Sequence, residues 1–232
     1  MIVGGALSAN YVRTNMVYDG NATMWGGSGG VFFARVPDAG LQWFVGVDGT
    51  SLTGDVTRGY LNGSGQASSH GNTDAVGYGA TARVGWTFDN VIAHTQITPF
   101  ASYTYTTLHV NGYTETGGPF PAQMDSFDAS EQTSRLGADA RYTFAPGEWL
   151  WGSLAWAHRL DGGNGPDITG NLLGLFSLSV PGESVAQDWA EETVGVRFPA
   201  WANGALTASV TASTPADYAT TYAARLGVTQ TF

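Results

Sequence analysis

The chain has 232 residues and a formal charge of −10, with 33 glycines, no cysteine and only 12% charged residues, and all nine basic residues are arginine. A soluble domain carries about 25% charged residues and about 7% glycine, so half the charge and twice the glycine need a physical reason. An acidic balance without a basic cluster excludes nucleic-acid binding, 12% aromatic residues exclude disorder, and the lack of cysteine excludes disulfides, thiolate catalysis and Cys-type zinc sites.

No run approaches the ~18 uninterrupted apolar residues of a spanning helix, and no leader-like sequence opens the chain, so Met1 reads as the start of a gene fragment. The dominant period is two, the mark of strands. Ten strands are predicted: Ile2 to Thr14, Met24 to Arg35, Leu41 to Tyr60, Asp74 to Phe88, Thr95 to Thr116, Ala129 to Phe144, Glu148 to Leu160, Gln187 to Phe198, Ala205 to Thr214 and Tyr218 to Phe232. In the fourth, one face reads Val76, Tyr78, Ala80, Ala82, Val84, Trp86, Phe88 and the other reads Gly77, Gly79, Thr81, Arg83, Gly85, Thr87. The sixth, ninth and tenth divide the same way. A soluble sandwich would turn its second face to water and fill it with Lys and Glu. Here that face is Gly, Ser, Thr and Arg, as expected of a transmembrane β-barrel with lipid outside and a polar lumen. Backbone groups in lipid must all be paired, so the antiparallel sheet has to close.

Connections alternate in length, with Pro215 to Asp217 the one short connection on the long side. Short turns are expected at Val36 to Gly40, Asp89 to His94, Ala145 to Gly147 and Pro199 to Gly204. Longer loops are expected at Met16 to Asn21, Leu61 to Asn72, Gly117 to Phe127 and Asp161 to Ala186, where Leu172 to Val180 could add one more strand. Short periplasmic turns and long extracellular loops are the outer-membrane habit, which puts both termini in the periplasm. The face pattern directs Arg83, Arg135, Asp139, Arg141, Glu191, Arg197 and Arg225 into the lumen. Aromatic residues at the short-turn ends, among them Trp43, Trp86, Phe88, Phe144, Trp149 and Phe198, are expected to form an interfacial girdle.

Three stretches resemble the C-terminal translocator of type V secretion autotransporters, closest to the branch behind lipase and esterase passengers. Thr95 to Gly118 resembles the family strand with a Pro-Phe start and a G-[FY]-x-E-x-G-G exit. LAWAHR at Leu154 to Arg159 resembles its Trp-x-His strand. The terminal RLGVTQTF resembles the signal read by the barrel-assembly machinery, through Arg225, Gly227 and Phe232, although Gln230 stands where the family has a second bulky apolar residue. The resemblance implies a single outer-membrane domain over residues 1–232 that assists export of its own N-terminal passenger. It also implies outer-membrane lipid and the barrel-assembly machinery as partners, a monomer, and no enzymatic activity or cofactor. Family translocators have twelve strands and a pore helix. Aligned from its end, this chain corresponds to strands three to twelve, so it is either truncated or closes with ten.

Two other classes compete: a freestanding small porin and an outer-membrane barrel hydrolase. Gly26, Gly27, Ser28, Gly29 and Gly30 match the G-x-S-x-G elbow, but another β pattern follows where the elbow needs a helix. Gly77, Gly79 and Ala82 fail the dinucleotide context for the same reason. His70, His94, His109 and His158 lie at no metal-ligand spacing, and Asp161, Asn164 and Asp167 miss the calcium-loop pattern. His109 with Glu115, or His158 with Asp161, are the nearest acid–base candidates.

Overall fold

The structure is a computed structural model that describes residues 1–202, 204–215 and 219–230. Ten long strands make one antiparallel sheet in chain order: β1 (Ile2–Asn15), β2 (Asn21–Arg35), β3 (Gly40–Asn62), β4 (Gly65–Ile92), β5 (Thr95–Val110), β8 (Phe127–Ala145), β9 (Glu148–Arg159), β12 (Asp188–Trp201), β13 (Gly204–Pro215) and β14 (Thr221–Gln230). Four short strands, β6 (Tyr113–Thr114), β7 (Ala122–Met124), β10 (Ile168–Leu172) and β11 (Phe176–Val180), form a second sheet in the order β11-β10-β7-β6. No helix occurs among the described residues.

Register settles the faces. Arg83 pairs with Phe44 and Ser102, Ser102 with Arg135, and Ser209 with both Gly195 and Arg225. Because directly opposed side chains share a face, the polar rows of all ten strands fall on one side. The sheet curls toward that side: Arg225 of β14 lines the same cavity as Phe44 of β3. The other side carries the apolar rows, and no described residue covers it. Leu7 is 92% exposed, Leu226 90% and Leu154 60%. Among the described residues no second layer buries this face, which is not the arrangement of a soluble sandwich. The hydrophobic cluster of buried residues lies instead in the small sheet, where Ala122, Met124 and Leu172 meet Tyr113, Ile168 and Leu178.

Several elements depart from the sequence expectation. Leu61 to Asn72 is not a loop. β3 and β4 run on as a hairpin closed by Gly63 and Ser64, with Gly63 at φ 64°, a conformation that glycine adopts without strain. Weak alternation hid these polar strand extensions. The extra strand expected at Leu172 to Val180 is two strands, β10 and β11, joined around Gly174 at φ 79°. Thr95 to Thr116 breaks after Val110, where the chain passes to β6. As for closure, β1 pairs only with β2 and β14 only with β13 among the described residues, so the sheet ends in two unpaired edges.

Candidate functional site

The inner face is built as a ladder of ion pairs that step across an intervening strand. Arg83 on β4 pairs with Asp139 on β8 over Phe100 of β5, and the guanidinium lies 3.5 Å from the Phe100 ring centroid. Arg135 on β8 reaches Glu191 on β12 over β9, where the inner residues Ala155 and Ala157 are small enough to let it pass. That pair is bidentate: Nε donates to Oε2 at 2.8 Å and Nη2 to Oε1 at 3.0 Å, and Trp189 Nε1 adds a third donor at 2.8 Å. Fork-on-fork geometry makes this stronger and more directional than a point-charge contact. Nearer the long loops, Arg159 meets Glu131 at 3.1 Å.

At the short-turn end, Arg141 and Arg197 both approach the Trp149 ring, at 5.1 and 4.3 Å from its centroid. Arg197 also donates to the Gly147 carbonyl at 3.3 Å, whereas the ion-pair partner of Arg141 among the described residues is the 95% exposed Asp38, 3.9 Å away. Two inner charges have no hydrogen-bond or ion-pair partner among the described residues. They are Arg225 on β14 and Asp48 on β3.

The catalytic look-alikes disperse. Ser28 lies on the inner face of β2, in a hydrogen-bonded row with Asn10 and Thr50, and no helix follows it. His109 bonds Asp128 at 2.7 Å rather than Glu115, and His158 bonds Asp188 at 2.9 Å rather than Asp161. Both His–Asp pairs face outward, and among the described residues no hydroxyl is hydrogen-bonded to either ring. Asp161 and Asp167 accept backbone N–H bonds from Gln132 and Gly182, which ties loops together, and no group of three or more His, Cys, Asp or Glu could hold a metal among the described residues.

The autotransporter beta-domain family model matches residues 1–211. The chain belongs to the autotransporter β-domain family. Its structure is similar to the translocator domain of the autotransporter NalP from Neisseria meningitidis, at 12% identity and a TM-score of 0.69, over 97% of this chain and 74% of that one. It is also similar to the transport unit of the autotransporter AIDA-I from Escherichia coli, at 10% identity and a TM-score of 0.40, over 99% of this chain and 89% of that one. No curated protein matches the sequence significantly. Autotransporter β-domains are outer-membrane barrels that serve export of a passenger, and this chain is such a translocator.

A translocator needs an outer face suited to lipid. Trp43, Trp86, Phe88, Phe144 and Phe198 lie on that face at the short-turn end, the last four between 45% and 52% exposed. Trp149 does not join them. It sits between two inner arginines, because β9 carries large apolar residues on both faces and its period does not say which is outer. A second row, which sequence reasoning missed, lies on the outer face toward the long loops: Tyr11, Trp25, Tyr78, Tyr103, Trp156 and Tyr222. From Tyr78 to Phe88 along β4 is about 33 Å at ~3.3 Å per residue. Tilted by ~40°, that span is ~25 Å tall, the height of the apolar band of an outer-membrane barrel. Of the assembly-signal residues, Arg225 and Gly227 lie on the inner face of β14, and Phe232 lies outside the described residues.

Proposed function

We propose that this translocator sits with its short turns and both termini in the periplasm and its long loops at the cell surface, and that its own passenger leaves past the charged inner wall. The observation that carries this reading is the division of faces, an uncovered apolar exterior against an interior of paired charges. Lipid of the outer membrane is then the partner of the exterior. The chain acts as one domain, one copy at a time, and closes with strands that come between β14 and β1.

The inner wall has the chemistry to guide a polypeptide without trapping it. Cross-strand pairing neutralises most of the charge locally, so a segment moving past meets few strong fields. Arg225 and Asp48, unpaired and of opposite sign, are the contacts left for a resident or passing segment, while Arg83, Arg135, Asp139, Glu191, Arg141 and Arg197 line the path. Recognition by the barrel-assembly machinery falls to Arg225, Gly227 and Phe232, and no step in this function asks the barrel to do catalysis.

The test is topology in living cells. An epitope inserted at Gly174 and the passenger should both be cleaved by protease added to intact cells, while a tag between Pro146 and Gly147 stays protected. Protection of the Gly174 epitope would refute the orientation. Deleting Phe232 should leave the domain unassembled in the periplasm, and normal insertion would remove that residue from the signal.

A further inference from the structure

The long-loop end carries a layer of its own. Beyond Val110 the chain runs along the free edge of the β4 extension, where His70 N donates to Thr116 O at 2.9 Å and Thr116 N to His70 O at 2.7 Å. It then doubles back through Gly117 and Gly118 across the inner face of the β3–β4 hairpin. β7 returns beside β6, β10 pairs with β7, and β11 closes the small sheet. The legs leading into β10 and out of β11 dip over the inner face. Asn164, Gly165 and Pro166 share a cavity of about 410 Å³ with Asp48, Thr106 and Glu131, and residues 183–186 share another of about 350 Å³ with Trp189, Ser213 and Thr221. The two longest loops are thus one hydrogen-bonded layer reaching from β4 to β12 over the upper end of the inner wall.

Besides the His70–Thr116 backbone bonds, a buried ion pair fastens this layer to the barrel. The Glu115 side chain is 1% exposed and accepts four bonds: from Arg58 Nε at 2.9 Å to Oε1 and 3.2 Å to Oε2, from Arg58 Nη2 at 2.6 Å and from the Ala122 amide at 2.9 Å. Arg58 also donates to the Phe120 carbonyl at 2.7 Å and lies over the Tyr60 ring at 4.6 Å. The Tyr60 hydroxyl in turn accepts from the Phe120 amide at 3.2 Å and meets Ser69 Oγ, which donates to the Gly117 carbonyl at 3.0 Å. The bonds of Arg58 to Glu115 and Phe120, of the Phe120 amide to Tyr60 and of Ser69 to Gly117 join loop residues 115–122 to the inner face of the β3–β4 hairpin, while the Ala122–Glu115 and Tyr60–Ser69 bonds brace each side internally. A buried carboxylate whose partner is removed is left with an uncompensated charge, so the closed arrangement depends steeply on this pair.

We propose that Arg58 and Glu115 are the latch of a cap that closes the surface mouth of the barrel, and that a polypeptide leaves through the mouth when the latch opens. The proposal rests on the orientation argued above. With its one buried ion pair at the centre of the contacts to the hairpin, the layer can move as a unit, because among the described strands β10 and β11 are linked to β4 by way of β7 and β6.

The cysteine-free chain makes the test direct. In the full-length protein on intact cells, a single Thr106→Cys on the inner wall below the cap is labelled with a membrane-impermeant maleimide. In the Arg58→Ala or Glu115→Gln background the labelling rate should rise by about tenfold or more, the shift that ~1.4 kcal/mol of lost closed-state stability produces. A His70→Cys/Thr116→Cys pair, at bridged positions whose Cα atoms lie within disulfide range, should weld the cap shut. Passenger export should then stop under oxidising conditions and resume on reduction. Heat-modifiable migration on gels confirms that each variant is folded. Equal labelling of Thr106→Cys with the latch intact and broken, in folded barrels, would overturn the latch. Ser177→Cys on β11 separates the two readings. If it is labelled while the latch variants change nothing, the orientation stands and the latch falls, and if it is not labelled on intact cells, both fall.

Discussion

Arg135 and Glu191 are 24% and 22% exposed, and their bidentate bond spans β9 above the buried Ala155 and Ala157. Breaking a fully buried pair from one side costs ~3–5 kcal/mol, and partial solvation of these groups reduces that to about 1–2 kcal/mol. Arg135→Ala should therefore lower the urea midpoint of the refolded barrel measurably. Replacing Glu191 by Gln as well should recover part of the loss, since the orphaned carboxylate goes with it. Tyr113 offers a pH-dependent counterpart outside the membrane. Burial holds its phenol above the ordinary value, the Glu115 carboxylate adds to the effect and Arg58 opposes it, while uncharged Gly71 faces it from β4. A raised pKa in the folded state means that its contribution is whole below the free-tyrosine value near 10 and is lost as pH rises through the folded value. Cap opening, read by Thr106→Cys labelling, should thus accelerate above about pH 10, and Tyr113→Phe should remove that acceleration. Of these residues, Arg135 and Glu191 were legible as inner-face positions from alternation alone. Their pairing was not, because 56 positions separate them in the chain. Glu115 was visible as a letter in the G-Y-x-E-x-G-G run and as a candidate partner of His109, but not as the buried acceptor of Arg58. Nothing in the sequence pointed to Arg58, whose strand extension has too weak an alternation to assign a face.

The strands were legible where one face is apolar and the other small or polar, as in β4 between Val76 and Phe88. They were illegible where that contrast fails. β9 carries Trp149 and Trp151 on the inner face and Leu150, Leu154 and Trp156 on the outer, so the period survives but its sign does not. The short strands β6, β7, β10 and β11 fail for another reason. They have two to five residues each, and they form because they pair with each other over a small apolar cluster, which is a tertiary cause. At this scale the sharpest test is the environment of the apolar rows. Val84 is 49% exposed and lies on β4 between the two aromatic rows. In a water-facing sheet, Val84→Arg would cost within about 0.5 kcal/mol. On a lipid-facing strand near the bilayer midplane, the cost is about 2–4 kcal/mol. Reversible unfolding from phospholipid vesicles should give the larger value, while Arg at Thr57, on the hairpin extension above the upper aromatic row, should be nearly neutral. A small penalty at Val84 would contradict the placement of the band.

For the molecule as a whole, composition follows from geometry. Low charge belongs to the outer rows, much of the glycine to the inner rows and turns, and seven of the nine arginines face inward, since Arg58 and Arg159 join the five expected there. The lack of lysine has no explanation in the structure. The remaining problem is closure. β1 has 14 residues and β14 has ten, and about half the backbone groups of each edge strand point away from its only neighbour. Every such group left unpaired in hydrocarbon costs several kcal/mol, so two bare edges of this length amount to tens of kcal/mol and cannot persist in a membrane. Either the edges pair with each other or further strands lie between them. The similar NalP structure favours the second, because a quarter of that chain has no counterpart here while almost all of this chain is matched. Cross-linking decides it in the protein expressed from its complete gene. A cysteine at Leu7 is combined in turn with one at Tyr222, Ala224 or Leu226, positions that all face outward. Adjacent strands lie ~5 Å apart, within reach of a disulfide, whereas two intervening strands would hold the edges about 15 Å apart, well beyond it. No pair should therefore cross-link in folded, heat-modifiable protein. Efficient bridging in any of them would mean that the barrel closes with ten strands.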